Sequence, residues 1–138
     1  MVNYLLKVSS KSKITLPNER GNMNIKIKTL ANEITLIKIK EKYLDSNNSQ
    51  DFILKIGELI ITKPQKIIVD LSQIEYISST GIGTFIFFRE EISKIKGKII
   101  LLKTKKTIYE VFKLVGMTEI YTFVEDLKSA KNLLQSAT

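Results

Sequence analysis

The sequence predicts a single α/β domain with a mostly parallel sheet, and three observations carry that expectation. From Met23 onward, apolar residues recur with two alternating periods, one strand-like and one helix-like. Two runs, Lys66-Ile-Ile-Val-Asp-Leu and Lys98-Ile-Ile-Leu-Leu-Lys, are β-branched and almost continuously apolar, the pattern of strands buried on both faces. The chain has 138 residues, enough to close one core and too few for two ordinary domains.

The elements follow in order. Asn24-Ile-Lys-Ile-Lys-Thr-Leu alternates, with Ile25, Ile27 and Thr29 on one face and charge on the other, as in a half-buried strand. After a turn at Ala31-Asn32, Ile34 to Ile39 reads as a second strand, antiparallel to the first. Asp45-Ser-Asn-Asn-Ser is rich in helix-capping residues, and Phe52, Ile53, Ile56, Leu59 and Ile60 then recur at helical spacing until Pro64. Lys66 to Leu71 is a central strand. A helix is expected to start between Thr80 and Ile82, carry Phe85, Phe88, Ile92 and Ile95, and stop at Gly97. Lys98 to Lys103 is another buried strand. Ile108, Val111, Phe112 and Val115 mark a helix closed by Gly116; Ile120 to Val124 is a short strand; Leu127, Ala130, Leu133 and Leu134 line a last helix. The order is ββαβαβαβα, with an antiparallel hairpin at the edge of the sheet. Residues 1–22 read as an N-terminal extension, either an arm or an extra strand through Tyr4 to Val8, and residues 23–138 as the domain. The extension holds Lys7, Lys11, Lys13 and Arg20 against Glu19, a net +3.

Composition excludes several chemistries. Cysteine and histidine are both absent, so disulfides, thiolate or imidazole metal sites, and Ser-His-Asp or Cys-His catalysis are impossible. Lys plus Arg number 22 against 14 Asp plus Glu, a formal charge of +8. The lysines are spread through every segment, whereas nucleic-acid surfaces cluster theirs, so no direct nucleic-acid partner is expected. No apolar run approaches the ~20 residues of a membrane span and no cleavable leader is visible, so a cytoplasmic protein is expected. Thr80-Gly-Ile-Gly has Ile86 where a dinucleotide fingerprint needs a small residue, and no Walker sequence occurs. The adjacent pairs Glu90-Glu91 and Glu125-Asp126 diverge by about 100° on a helix and form no catalytic dyad. No metal, no cofactor and no enzymatic activity are expected.

The hydroxyl cluster Ser78-Ser79-Thr80 ahead of Gly81 is what remains. One hydroxyl caps a helix; three exceed that need. A hydroxyl at a helix N-terminus is also a suitable phosphate acceptor, because the helix dipole tolerates the added negative charge. Gly81 and Gly83 would reduce crowding there for an approaching kinase. Asp45, at the opening of the first helix, and Asp70, at the end of the central strand, are expected on the same side of the sheet, Asp45 equally well as a helix cap. Of Phe87 and Phe88, one is expected near the surface.

At these residues the chain resembles the STAS domain family, and within it the bacterial anti-sigma factor antagonists. Ile67-Ile-Val-Asp-Leu-Ser-Gln-Ile-Glu-Tyr-Ile-Ser-Ser-Thr-Gly-Ile-Gly is similar to the family's apolar strand, Asp-Leu, spacer, and Ser-Ser/Thr-Gly-Leu-Gly. Val111-Phe-Lys-Leu-Val-Gly-Met is similar to its Leu-Phe-x-x-x-Gly-Leu helix end, and Leu44-Asp45 to its Leu-Asp. The departures are Ser78, where members commonly carry Asp, and Lys42-Tyr43 in place of Gly-Glu. The resemblance implies that Ser79 is phosphorylated by a partner that is both serine kinase and anti-sigma factor. It also implies that phosphorylation abolishes binding and that a phosphatase resets the switch. Asp45, Ser78, Ser79, Thr80, Gly81 and Ile82 would form the partner surface. The alternative is a constitutive, never phosphorylated STAS adaptor in a signalling or transport assembly.

Overall fold

A computed structural model describes residues 23–135. The expected arm or strand within residues 1–22 lies outside them. Strands are β1 (Ile25–Leu30), β2 (Ile34–Ile39), β3 (Tyr43–Leu44), β4 (Lys66–Asp70), β5 (Tyr76–Ile77), β6 (Lys98–Leu102) and β7 (Thr122–Val124). Helices are α1 (Ser49–Ile61), α2 (Ser79–Lys94), α3 (Lys106–Leu114) and α4 (Leu127–Gln135). The main sheet runs β1-β2-β4-β6-β7, antiparallel between β1 and β2 and parallel elsewhere. The α/β class, the edge hairpin and the element order are as the sequence predicts. The two-residue strands β3 and β5 are additions, too short to leave a periodic signal.

Each parallel strand is added on the same side of its predecessor. Crossovers of one hand then put every connecting helix on one face of the sheet. Accordingly α1, α2 and α3 contribute Phe52, Ile56, Phe85, Phe88, Ile92, Ile108 and Phe112 to one buried cluster, against Ile37, Ile39, Ile67, Val69 and Leu101. Among the described residues only α4, which follows β7, covers the other face; Ala130 and Leu134 meet Ile34, Ile68, Ile100 and Leu102 there. In the main sheet, odd-numbered strand residues thus point to the three-helix face and even-numbered ones to the α4 face.

The larger core centres on Phe85. Its ring lies 5.6 Å from Phe52 of α1, 5.6 Å from Phe112 of α3 and 6.2 Å from Tyr121, all edge-on. The Tyr121 hydroxyl donates to the Phe85 carbonyl at 2.7 Å, and burial pushes its pKa far up, so it remains a donor. These contacts fix α2 near its N-terminal end.

Several expectations shift in detail. Ile27 is 46% exposed, because β1 is an edge strand that α1 only partly covers. Val115 is 53% exposed, since α3 ends at Leu114 and Gly116 turns the chain away with φ +80°. Leu133 also faces outward. After α2 the left-handed residue is Lys96 rather than Gly97. Gly97 is needed for space: a Cβ there would lie 2.6 Å from Ile92 Cγ2 and 3.1 Å from the Pro64 carbonyl. Phe88 is buried and Phe87 half-buried.

Phe85→Ala should cost about 3–5 kcal/mol in urea unfolding. Leu114→Ala, at a position 86% exposed, should stay within about 0.5 kcal/mol.

Candidate functional site

Two tripeptides of similar pattern, Tyr43-Leu44-Asp45 and Tyr76-Ile77-Ser78, build the site. Their first two residues are β3 and β5, paired in parallel with Tyr43 beside Tyr76 and Leu44 beside Ile77. Leu44 and Ile77 are buried. The Glu75 and Tyr76 amides donate to the Lys42 carbonyl at 2.7 and 3.1 Å, and the Ser78 amide to the Leu44 carbonyl at 2.9 Å. Asp45 is thereby placed alongside Ser78, although the two are 33 positions apart in sequence.

The polar segment after Asp45 anchors this arrangement. Asn48 is buried; its Nδ2 donates to the Tyr43 carbonyl at 2.8 Å and its Oδ1 accepts from the Asp45 amide at 3.0 Å. Its side chain thus acts as a further strand edge for β3. Asp45 is not the helix cap: α1 starts four residues later, and Asn48 holds the cap position without a side-chain cap bond. Asp45 Oδ1 accepts from the Asn47 amide at 2.9 Å in a local turn. The Ser49 amide and hydroxyl both donate to the Asp45 carbonyl.

The three hydroxyls at the start of α2 divide their roles. Ser78 is the cap, its Oγ accepting from the Gly81 amide at 3.2 Å, while its carbonyl accepts from Ile82 at 2.9 Å. The Thr80 hydroxyl lies 2.8 Å from Ser78 Oγ. Ser79, the first residue of the helix, is exposed, and its hydroxyl bonds to no other described residue. Helix α2 therefore starts one residue earlier than expected, and Ser79 is the hydroxyl the cap does not use. Exposure continues along the same stripe through Gly83 and Ile86, while Ile82 is half-buried against the core.

Gly81 has a different reason from the one expected. It is buried, and a Cβ there would lie 2.5 Å from the Leu44 carbonyl oxygen and 2.8 Å from Ile77 Cγ1. Its bareness lets the first turn of α2 sit against β3 and β5; it does not clear an approach from solvent. Gly83 does face open space.

The sequence reading missed two residues beside the cluster. Tyr43 and Tyr76 are 56% and 53% exposed, with ring centroids 6.3 Å apart. The repeat of aromatic, aliphatic and polar residues in the two tripeptides is the signal that could have found them. Asp70 does not join the hydroxyls by any contact: it is buried, and its Oδ1 accepts from the Ser72 amide at 2.8 Å, shaping the turn after β4. Glu91 is buried and paired with Lys94 at 2.7 Å, whereas Glu90 is exposed. Among the described residues no three carboxylates gather as a metal site, and no helix is long and apolar enough to cross a membrane.

Comparison with known proteins places this architecture. The STAS domain model matches residues 25–130. The chain belongs to the STAS domain family. A Bordetella bronchiseptica protein named as the anti-sigma factor antagonist BtrV is 21% identical over 102 residues, spanning 74% of this chain and 88% of that protein. Among solved structures, a Thermotoga maritima protein described as an anti-sigma factor antagonist superposes with a TM-score of 0.71 at 18% identity, over 80% of this STAS domain chain and 94% of that one. Unphosphorylated SpoIIAA, also described as such an antagonist, gives 0.63 at 18%, over 83% of this chain and 100% of that one. The murine solute carrier 26 family member A9 anion transporter gives 0.64 at 17%, covering 75% of this chain and 18% of the transporter. At these identities the superpositions establish a shared fold.

Gly81→Ala should lower stability by about 1–3 kcal/mol, because the displaced atom is a backbone carbonyl. Gly83→Ala should be neutral or stabilising by up to about 1 kcal/mol in the same urea titration.

Proposed function

We propose that this STAS domain is an anti-sigma factor antagonist switched by phosphorylation of Ser79. It binds an anti-sigma factor that is also a serine kinase, through Asp45, Ser78, Ser79, Thr80, Gly81 and Ile82. The single observation that carries the reading is the division of labour among the three hydroxyls. Ser78 is engaged as cap and Thr80 is bonded to it, whereas Ser79 is exposed at the helix N-terminus and its hydroxyl alone of the three bonds to no other described residue. Family membership and the names of the Bordetella and Thermotoga relatives support the partner class.

In this reading the chain is a substrate and binding partner, not a catalyst. The partner's nucleotide supplies the γ-phosphoryl group; a bond forms from phosphorus to Ser79 Oγ as the bond to the β-phosphate oxygen breaks, and the hydroxyl proton leaves to a base of the partner. The first backbone N–H groups of α2 face the new phosphate and help tolerate it. In an interface, the same ~1.5 to 2 negative charges must be stripped of water, which opposes binding. A loss of about 3 kcal/mol already weakens association more than a hundredfold. A phosphatase then restores the binding form. Ser78 caps α2 at the position where the family commonly carries Asp, and it leaves no carboxylate there beside the acceptor. That feature, with the fold's occurrence in an anion transporter, favours a constitutive adaptor as the second reading.

Affinity for the cognate anti-sigma factor tests the switch. Ser79→Ala should bind within about threefold of the natural chain and take up no phosphate, and Ser79→Asp should bind at least about tenfold more weakly. A folded Ser79→Ala chain that fails to bind, or a Ser79→Asp chain that binds normally, contradicts it. Ser78→Ala should cost about 1 kcal/mol of stability through the lost cap and still accept phosphate at Ser79.

A further inference from the structure

The lysines that look scattered in sequence are gathered by the pleat. Lys26 and Lys28 of β1, Lys38 of β2, Lys66 of β4 and Lys98 of β6 all occupy even positions, and so all project from the α4 face. Lys26 stands directly opposite Lys38, a like-charge pairing that disfavours the sheet unless something offsets it. Helix α4 packs chiefly on β6 and β7, at the other end of the sheet from β1. Lys26 and Lys28 are exposed and Lys38 half-buried, and among the described residues none of the three forms an ion pair. Asp70, beside Lys38 in register, is buried and bonded to the Ser72 amide.

β1 is also an edge without a strand partner among the described residues. The Lys40 amide donates to the Asn24 carbonyl at 2.8 Å, so ladder bonds to β2 fall on the even residues of β1. Ile25, Ile27 and Thr29 then turn their N–H and C=O groups outward. On the opposite face, Ile25 and Ile27 line a shallow groove with Leu59, Lys55 and Glu58 of α1. The edge therefore offers backbone hydrogen bonds flanked by cations on one side and an apolar groove on the other.

We propose that the outer edge of β1 docks an extended acidic segment of another protein, whose alternate residues are carboxylates over Lys26 and Lys28 and apolar side chains over Ile25, Ile27 and Leu59. Charge selects this occupant. Residues 1–22 carry +3 themselves, and a second copy would bring its own Lys26 and Lys28 to the same place. The strand residues on this face include no arginine and no aromatic, so bidentate phosphate contacts and base stacking are both missing. Strand addition of this kind takes affinity from the main chain and specificity from alternate side chains. The site is separate from Ser79 and stands whether or not Ser79 is phosphorylated.

The test uses the full-length, isotope-labelled chain and a synthetic peptide of about eight alternating Glu and Val residues, long enough to run beside β1. Amide shifts should move at Ile25, Ile27 and Thr29, and affinity should fall as salt rises. A Lys26→Glu/Lys28→Glu chain should lose at least about tenfold in affinity and should instead accept a peptide of alternating Lys and Val. If that chain fails to fold, Lys26→Gln/Lys28→Gln should still weaken binding of the acidic peptide. Absent shifts, shifts confined to another surface, or affinity indifferent to charge would overturn the proposal. So would preferential binding of oligo-dT or of phosphatidylserine vesicles. Binding only by a chain beginning at Met23 would also overturn it, showing that the chain's own N-terminal segment occupies the edge.

Discussion

The carbonyl of Leu44 and the first turn of α2 share a space that admits no side-chain carbon at position 81, and the geometry of the site depends on that contact. Because Gly81 allows it, β3 and β5 can pair, the Ser78 amide can reach the Leu44 carbonyl, and Asp45 can lie beside Ser78. Asn48 secures the same strand from its other side by bonding both the Tyr43 carbonyl and the Asp45 amide. Behind the site, Phe85 ties α2 to α1, α3 and Tyr121, so the helix whose first residue is Ser79 has little freedom to move. A rigid helix end makes a local chemical change at Ser79 felt as a change of surface rather than as a change of fold.

That rigidity suits a surface event. A phosphate on Ser79 would alter charge at a hydroxyl that bonds to no other described residue, leaving the Ser78 cap and the Gly81 packing in place. Both forms can then be equally folded and differ only in what they bind, which is the requirement for a reversible switch. The sheet adds a second asymmetry. Three crossovers on one face leave, among the described residues, a single helix for the other, and the pleat delivers every lysine of the main sheet's strands to that side. By our reading, one domain thus carries a phosphate acceptor at the start of α2 and a docking edge at β1.

The main sheet and its helices were legible because Ile67 to Val69 and Ile99 to Leu102 form continuous apolar runs and Phe85, Phe88 and Ile92 keep helical spacing. The Ser78-Ser79-Thr80 cluster was legible as an excess over capping need. What each hydroxyl does was not, because the division depends on which oxygen meets the Gly81 amide. β3 and β5 escaped notice because two residues cannot show a period, and with them went the Tyr43–Tyr76 pair and the true reason for Gly81. The scatter of lysines misled for a related reason. Lys26, Lys38, Lys66 and Lys98 are far apart in sequence, and only strand order with register brings them to one face.

The central claim is that Ser79 is the hydroxyl available for modification, and peptide mass spectrometry of the chain isolated from its own cells tests it most directly. The account predicts a single phosphate mapped to Ser79, with Ser78 and Thr80 unmodified. A phosphate on Ser78 or Thr80 with none on Ser79, or none on any of the three across several growth conditions, would contradict it.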